Sequence, residues 1–323
     1  MAAFAKVLSD PITQFVSDVR AGLCKAGQKK LPPKYLYDPL GFALFEAITL
    51  LPEYGLTRAE ERLLRRHASE IVSHVPSRAV LSELGCGSGR KTRWILSAMC
   101  ARGPVSYYPI ELSGAALATC ESELGNLEGA SIVGIEREYL DGLREVAALR
   151  PDGVGLLVLF LGSTMGNFDS GADIRFLSEV RRAMAPGDSL LLGVDLLKPI
   201  ERMIEAYDDP LGVTAAFNLN LLGRINRELD GDFDLLQFEH VARFNDATRS
   251  IEMHLRSRRR QVVNIGRGGF AVAFDAGETI WTESSHKYTR REIEELAVSC
   301  GFRNEAQWVD DEWPFAENLF LAV

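Results

Sequence analysis

Residues 82–92 contain the residue types and spacing that most clearly support chemistry. An apolar run precedes this stretch and apolar residues at helical spacing follow it, so the pattern predicts a strand, a glycine turn (residues 85–89) and the start of a helix. Gly85, Gly87 and Gly89 allow backbone angles that other residues rarely adopt, and they let a ligand approach without meeting a Cβ atom. We therefore expect the turn to bind a nucleotide-like group.

The spacing of the turn separates the classes of nucleotide site. Dinucleotide folds use Gly-x-Gly-x-x-Gly and phosphate-binding loops use Gly-x-x-x-x-Gly-Lys-Ser/Thr, and this turn matches neither pattern. Its pattern is Glu83-x-Gly85-x-Gly87-x-Gly89. A carboxylate at Glu83 would attract a cationic ligand and repel a pyrophosphate. The pattern resembles the first motif of class I S-adenosylmethionine-dependent methyltransferases, which implies that Glu83 lies near the cationic methionyl end of the cofactor.

A second carboxylate is expected at the end of the next strand. Residues 105–112 form that predicted strand, and Glu111 lies near its end. Doubly wound folds place an acidic residue at about this distance against ribose hydroxyls. Taken alone, Glu111 is equally compatible with an ordinary surface role, and NAD-binding folds share the ribose carboxylate. The choice of cofactor therefore depends on Glu83 and the glycine spacing.

The composition limits the classes of function. The 323 residues are 46% hydrophobic and carry a net charge of −9, so one large or two modest domains are expected and a nucleic-acid partner is not. The basic cluster at residues 256–260 is typical of a solvated face. The five cysteines and five histidines lack metal-ligand spacing, which favours reduced thiols in the cytoplasm and no bound metal. No apolar run approaches membrane-spanning length, so neither a membrane partner nor a secretory signal is expected; the sequence does not indicate the oligomeric state.

The region before the glycine turn is predicted to be mainly helical. A helix within residues 1–30, a proline-stiffened segment and a short helix near 41–50 are expected in that order. Tyr37, on the proline-stiffened segment, is a candidate for lining a pocket. Thr57 and Glu60 have the spacing of a capping box, so we expect Glu60 to bond to a helix N-terminus.

Strands and helices alternate from residue 79 to residue 194, which is typical of a doubly wound, mostly parallel α/β sheet. A single apolar strand at residues 156–161 leads into residues 162–167, a loop that should face the cofactor. The alternation stops after Leu197. The elements predicted beyond it are a helix near 213–229 and strands near 250–256, 260–266 and 270–282. We predict two domains: a methyltransferase domain at 58–196 and 287–323, and an α+β substrate-binding domain at 1–57 and 197–286.

Several further segments carry a more specific pattern. They are Pro32-Pro-Lys-Tyr-Leu-Tyr-Asp38, Leu51-Pro-Glu-Tyr54-x-x-Thr57-Arg58, Phe160-Leu-Gly-Ser-Thr-Met-Gly-Asn167, Tyr207-Asp-Asp-x-x-Gly-Val-Thr-Ala-Ala-Phe-Asn218, Asn226-Arg-Glu-Leu229, Phe238-Glu-His-Val241, Ile251-Glu-Met253 and Thr282-Glu283-Ser-Ser285-x-Lys287. Together they resemble the histidine Nα-methyltransferases of ergothioneine biosynthesis over nearly the whole chain. The resemblance implies three successive transfers from S-adenosylmethionine to the amine of L-histidine, giving the betaine hercynine, without a metal.

The resemblance also implies roles for individual residues. Those that would hold the carboxylate and backbone end of the substrate are Tyr54, Asn167 and Tyr207. Those that would contact the imidazole are Glu283, Ser285 and Met253. The catalytic pair near the amino group would be Tyr37 and Gly162. The cofactor would be surrounded by Glu83, Gly85, Gly87, Lys91, Glu111, Glu138 and Tyr139.

Three other functions remain as alternatives. The chain has Gly55-Leu56 where related sequences often have Tyr-Pro, so methylation of an indole or a modified histidine stays open. An NAD-dependent oxidoreductase shares the sheet but not the glycine spacing, and a noncatalytic module would bind the cofactor without transferring its methyl group. Glu283 favours histidine, because an imidazole offers N–H donors that an aliphatic side chain lacks, a difference of about 1–3 kcal/mol.

Overall fold

The computed structural model describes residues 10–168 and 171–323. The chain divides into two compact units, which we call the small unit (Met1–Tyr54 with Pro199–Ser284) and the large unit (Gly55–Lys198 with Ser285–Val323). The unit boundaries differ from the predicted domain limits by two or three residues. Residues 1–9, which were predicted to belong to the substrate-binding domain and in part to a helix, lie outside the described residues. The cofactor and substrate roles of the two units stay predictions.

Helices and strands are numbered in chain order. The helices are α1 (Pro11–Leu23), α2 (Pro39–Thr49), α3 (Gly55–Ser73), α4 (Thr92–Cys100), α5 (Gly114–Leu124), α6 (Tyr139–Leu149), α7 (Ala172–Ala183), α8 (Ile200–Glu205), α9 (Val213–Leu229) and α10 (Arg290–Ser299). Short 3-10 helices cover Pro33–Leu36, Thr164–Asn167 and Leu235–Gln237. Within the described ranges, no helix has both the length and the apolar composition that crossing a bilayer requires.

The strands alternate with the helices in the first half of the chain and follow one another in the second. They are β1 (Lys29–Lys30), β2 (Ala79–Leu84), β3 (Val105–Glu111), β4 (Ala130–Ile132), β5 (Ile135–Glu136), β6 (Gly155–Phe160), β7 (Ser189–Asp195), β8 (Phe238–Asn245), β9 (Ser250–Ser257), β10 (Gln261–Ile265), β11 (Phe270–Phe274), β12 (Thr279–His286), β13 (Phe302–Val309) and β14 (Phe315–Ala322). This order already separates the two kinds of sheet.

The large unit is built on a sheet of strand order β13-β14-β7-β6-β2-β3-β4, with β5 also pairing with β3. Strands β2, β3, β4, β6 and β7 pair in parallel, and β14 runs antiparallel to both β7 and β13. The predicted doubly wound, mostly parallel α/β class is confirmed by this order. From β2 the chain moves through β3 to β4, and it then continues with β6 on the other side of β2. Doubly wound sheets bind ligands where the strand order reverses in this way.

The position of this sheet follows from its apolar strands. Strands β2 and β7 are buried along their full length, and β6 along all but its first residue, as parallel strands covered on both faces should be. They form one apolar core with residues of α6, α7, α10 and β14. Because that core holds the strands in register, the carboxyl ends of β2, β3 and β6 lie at one edge of the sheet. The predicted cofactor residues lie at or just after the ends of β2 and β3, except for Glu138 and Tyr139, which follow β5.

The small unit contains a separate sheet of order β1-β12-β9-β8, in which β8 and β9 are antiparallel, and a β10–β11 hairpin. Helix α9 packs against α2 and across β8 and β9. Its apolar face, which includes Phe217, Leu221 and Ile225, is buried. The bounds of α9 confirm the helix predicted at residues 213–229. The exposed Arg256 and Arg258 both pair with Glu239, so the charge of that part of the basic cluster is partly neutralised at the surface.

Two sequence predictions of local structure are wrong. The strand predicted at residues 270–282 is split into β11 and β12, because the turn between them includes Gly277, whose φ is 85°. Strand β13 was not predicted, since its burial alternates irregularly and no apolar run marks it. Helix α3 begins at Gly55 rather than at Thr57, and the fully buried Glu60 lies inside the helix instead of capping it.

Candidate active site

The glycine turn connects β2 to α4, and its glycines have φ values of 82°, 49° and 75° at Gly85, Gly87 and Gly89. A Cβ atom on Gly85 would lie 2.8 Å from the Tyr139 hydroxyl, and one on Gly89 would lie 2.8 Å from Cys120 Sγ. A Cβ on Gly87 would meet no described atom within 4 Å. Two of the glycines are therefore required by packing inside the protein, whereas Gly87 leaves backbone open to a ligand.

Substituting alanine at two of these glycines should separate packing from binding. Gly87→Ala is expected to lower the free energy of unfolding by about 1–2 kcal/mol, the cost of a left-handed L-residue. Its new methyl group would project into the space expected for S-adenosylmethionine, so binding of that ligand should weaken. Gly89→Ala has the same backbone cost and also overlaps Cys120, for a total of about 2–5 kcal/mol. Urea denaturation and calorimetric titration measure both effects; unchanged affinity in Gly87→Ala would contradict a ligand at this turn.

Glu83 is the penultimate residue of β2 and is 2% exposed. Its Oε2 atom accepts a hydrogen bond of 2.7 Å from Thr92 Oγ1, and another from the hydroxyl of Tyr107. Burial raises the pKa of Glu83 to about 7, although the two hydroxyl groups and the charge of Lys91 act in the opposite direction. A buried carboxylate whose ionised form is this poorly stabilised gains from pairing with a cation. Glu83 therefore fits the sulfonium and ammonium groups of S-adenosylmethionine.

Glu111 ends the neighbouring strand, β3. Its Oε1 atom accepts hydrogen bonds from the backbone amides of Leu112 at 2.8 Å and Ser113 at 3.4 Å. Burial raises the pKa of Glu111, and the amides of these two residues and of Gly87 lower it. Because the backbone amide of Gly87 is among the groups that lower this pKa, the Glu111 carboxylate lies beside the glycine turn. A carboxylate oriented in this way is suited to accept hydrogen bonds from hydroxyl groups such as those of a ribose.

Tyr139 begins α6 and lies beside the same turn. Its ring packs edge-on against Phe160 and Phe176, with centroids 5.8 and 6.3 Å away, while its hydroxyl approaches Gly85. These contacts hold an aromatic surface at the sheet edge, where an adenine could stack or pack edge-on. Glu138 precedes the helix and is exposed. The structure thus places the predicted cofactor residues around one edge of one sheet.

Lys91 lies at the N-terminus of α4, and its ammonium group forms an ion pair with Glu60. Glu60 also accepts a hydrogen bond from the backbone amide of Gly162, whose φ is 77°. The side chain of Glu60 therefore contacts both the predicted catalytic residue Gly162 and the predicted cofactor residue Lys91. Sequence analysis had assigned this side chain to a helix cap. The signal that could have identified Glu60 is its position on the apolar face of α3, where a carboxylate needs a partner.

The loop of residues 162–167 is held at two points. Ser163 adopts a left-handed conformation with a φ of 59°, and its Oγ atom accepts a hydrogen bond of 2.9 Å from the Asp195 amide. Gly166 passes so close to β12 that a Cβ atom there would lie 2.8 Å from the carbonyl oxygen of His286. Asn167 is the last residue of the 3-10 helix Thr164–Asn167, which also contains Gly166. The predicted substrate residue Asn167 thus sits on a loop that β7 and β12 position.

Ser285 lies near the end of β12 and is positioned by a buried lysine. Lys287 is fully buried, donates to Ser285 Oγ at 2.8 Å and forms an ion pair of 2.9 Å with Asp195 Oδ2. Burial raises the pKa of Asp195, but Lys287 and Lys198 outweigh this effect and lower it. Because an ammonium group can only donate, Ser285 Oγ is the acceptor of that bond.

In the small unit, the three predicted tyrosines belong to one aromatic cluster. The ring centroid of Phe45 lies 5.6 Å from Tyr37 and 6.3 Å from Tyr54, and Tyr54 lies 6.0 Å from Tyr207. Phe217 of α9 completes the cluster at 5.5 Å from Tyr37. Sequence analysis did not select Phe45 or Phe217. Since Phe217 lies inside the matched motif of residues 207–218, that motif was the available signal for it.

A hydrogen-bonded histidine supports Tyr207. Asn218 Nδ2 lies 2.9 Å from His240 Nδ1, and His240 Nε2 lies 2.7 Å from the carbonyl oxygen of Tyr207. The amide nitrogen can only donate, so Nδ1 accepts and Nε2 donates to Tyr207. Burial lowers the pKa of His240, which keeps the ring in this neutral form. The backbone of Tyr207 is thereby fixed beside the aromatic cluster.

Met253 and Glu283 lie on the neighbouring strands β9 and β12. The hydroxyl of Thr282 donates to the carbonyl oxygen of Met253 at 3.0 Å, and Trp281 Nε1 donates to the carbonyl oxygen of Glu283 at 2.9 Å. Met253 is 2% exposed and Glu283 is 7% exposed. The backbone around both residues is therefore tied down by side chains of β12. A carboxylate with so little solvent access is suited to recognise a donor group on a ligand.

Comparison with known proteins matches this chain, over residues 15–322, to a family described as histidine-specific, S-adenosylmethionine-dependent methyltransferases. Histidine N-alpha-methyltransferase of Mycobacterium tuberculosis is 42% identical over 94% of this chain and 93% of its own length. Ergothioneine biosynthesis protein 1 of Neurospora crassa is 30% identical over 88% of this chain and 32% of its own length. L-tryptophan methyltransferase of Psilocybe serbica is 28% identical over 90% and 88%. The chain belongs to the family of histidine-specific, S-adenosylmethionine-dependent methyltransferases.

Proposed function

We propose that this protein transfers three methyl groups in succession from S-adenosylmethionine to the α-amino group of L-histidine, giving hercynine for ergothioneine biosynthesis. The family match over residues 15–322 carries the proposal. The 42% identity to a histidine N-alpha-methyltransferase and the relation to an ergothioneine biosynthesis protein support it. The scattered cysteines support a cytoplasmic location.

The protein's main task in this reaction is alignment. When bound, S-adenosylmethionine supplies an electrophilic methyl group for in-line displacement. The protein must hold a neutral amine on the line of attack and exclude water. An α-amino group has an ordinary pKa of about 8, so a neutral fraction exists near neutral pH without a dedicated base. Tyr37 and the backbone of Gly162 would orient the amine, since hydroxyl and carbonyl oxygens accept its N–H groups.

The imidazole ring provides the substrate specificity in this proposal. Glu283 would accept the ring N–H as a carboxylate. Ser285 would donate to the other ring nitrogen, because Lys287 already donates to its oxygen. A neutral imidazole offers one donor and one acceptor and satisfies both residues. An indole offers only a donor and leaves the Ser285 hydroxyl unmatched.

The runner-up is the same reaction on an indole or another amine, and the tryptophan methyltransferase relative motivates it. The departure at Gly55 has a packing explanation: a Cβ atom there would lie 2.2 Å from the ring of Trp313. Position 55 thus requires glycine, because the ring of Trp313 in the large unit occupies the space of a side chain. This departure alone therefore does not call for a different substrate.

The first experiment incubates the purified protein with L-histidine and S-adenosylmethionine and follows the product mass. Increments of about 14, 28 and 42 Da correspond to one, two and three methyl groups, the outcome that the proposed reaction class requires. We expect the last of these to accumulate. A parallel reaction with L-tryptophan tests the runner-up, and one with Nα-methylhistidine, the product of the first transfer, tests whether the later transfers proceed. Methylation of tryptophan in preference to histidine, or no histidine product from protein that binds the cofactor, would overturn the proposed substrate.

A further inference from the structure

Two carboxyl groups meet in the interior of the large unit. Glu60 of α3 and Glu317 of β14 are both fully buried. Glu317 pairs in register with Gly193 of β7. A Cβ atom on Gly193 would lie 2.5 Å from Glu60 Oε1 and 3.2 Å from Glu317 Oε1. The absence of a side chain at Gly193 therefore provides the space in which these two carboxyl groups approach each other.

The partners of Glu60 identify its charge state. Its Oε1 atom accepts from the backbone amide of Gly162, and its Oε2 atom accepts from the ammonium group of Lys91. Both partners are donors, so both oxygens act as acceptors. An ionised carboxylate accepts from both donors, and the ammonium group of Lys91 favours that form.

Glu317 is in the opposite situation. Among residues 10–168 and 171–323, neither of its buried carboxyl oxygens has a hydrogen-bond donor. A buried, ionised carboxylate without a partner is costly, so a carboxyl in this position retains its proton. Burial and the charge of Glu60 raise the pKa of Glu317 well above its usual value, although Lys91 opposes them. A protonated Glu317 needs an acceptor, and Glu60 Oε1 lies beside it.

We propose that Glu317 is a neutral carboxylic acid that donates a hydrogen bond to ionised Glu60, and that this pair positions Gly162 and Lys91 for methyl transfer. Glu60 contacts Gly162, which is predicted to orient the amine, and Lys91, which is predicted to lie near the cofactor. The proton on Glu317 limits the Glu60–Glu317 pair to one negative charge, which faces the ammonium group of Lys91. Both residues act through others and are positioning residues. The reaction they serve rests on the proposed function, whereas the shared proton does not.

Variants that differ in charge and donor capacity test this pair. Glu317→Gln keeps the size and supplies an N–H donor, Glu317→Leu removes the donor, and Glu60→Gln removes the charge. Glu61→Gln is the matched control, since Glu61 is exposed on the same helix. We expect kcat to fall about tenfold or more in Glu317→Leu and to be largely retained in Glu317→Gln, as loss of a hydrogen bond to a charged group predicts. Glu60→Gln should raise the Kd for S-adenosylmethionine by about tenfold, because Lys91 loses its anion.

Infrared spectroscopy reports the proton directly and does not require methyl transfer. Spectra are taken at about pH 9, about two pH units above the pKa of about 7 at Glu83, so that this second buried carboxyl is ionised and gives no acid band. The wild-type protein should then show the carbonyl band of a buried, protonated carboxylic acid, and that band should be missing in Glu317→Gln and present in Glu61→Gln. The spectrum and the cofactor titration remain decisive if histidine is not the substrate. Two results would overturn the proposal: no difference in the acid band between wild type and Glu317→Gln, or equal loss of kcat in folded Glu317→Gln and Glu317→Leu.

Discussion

Replacing Glu83 by glutamine is expected to weaken S-adenosylmethionine binding by about tenfold to a hundredfold above pH 7, and to remove its pH dependence. A contact between charged groups contributes about 1.5–3 kcal/mol, and glutamine has the shape of the carboxylate without its charge. In the wild-type protein burial raises the pKa of Glu83 to about 7. Below that pH the free protein carries a proton on Glu83, which must leave before the carboxylate can pair with a cation. The wild-type Kd should therefore rise as the pH falls through about 7, by at most about tenfold per pH unit.

Calorimetric titration of both proteins between about pH 6 and about pH 8 measures this effect. Glu121→Gln provides the control, because Glu121 is an exposed carboxylate in the same unit. Its affinity should follow the wild-type curve. A wild-type Kd that does not change over this range would contradict the role of Glu83, as would a Glu83→Gln variant with wild-type affinity. S-adenosylhomocysteine, which lacks the sulfonium charge, should show a smaller difference between the two proteins.

Replacing Glu283 by alanine should raise the KM for L-histidine by about tenfold to a hundredfold and leave the Kd for S-adenosylmethionine unchanged. The variant removes the acceptor proposed for the imidazole N–H, at a cost of about 1–3 kcal/mol. Glu283 is only 7% exposed, so solvent cannot easily replace it. The residues predicted to surround the cofactor belong to the large unit and Glu283 belongs to the small unit, and we expect cofactor binding to survive the substitution.

Steady-state kinetics with L-histidine and titration with S-adenosylmethionine test the two halves of this prediction separately. Asp275→Ala is the control, since it removes an exposed carboxylate from the turn before β12. Turnover of L-tryptophan should be measured in the same preparations and should not rise, because an indole N–H would also have donated to this carboxylate. Wild-type histidine kinetics in Glu283→Ala would show that this carboxylate does not recognise the imidazole. A parallel loss of cofactor binding would indicate a structural role instead.

Sequence patterns were sufficient for the features that depend on short stretches of chain. Apolar strands and intervening helices predicted the doubly wound sheet, and helical spacing predicted α9. The spacing of Glu83 from Gly85 and Gly87 predicted the S-adenosylmethionine family. Each of these signals is local, because it depends on the periodicity of one element or on the backbone conformation of one turn. The motif resemblance added the histidine family, which the comparison confirmed.

The sequence by itself determined the class of sheet, the glycine turn and the carboxylate at its start, since neighbouring residues specify all three. Only the tertiary structure decided which buried groups face one another. Glu60 was predicted to be part of a helix cap, yet it lies against Gly162 and Lys91 because α3 packs against α4 and β14. Glu317 joins it only because β14 inserts antiparallel beside β7, opposite a glycine. The order of strands brings residues more than 250 positions apart into contact, and no local period encodes that order.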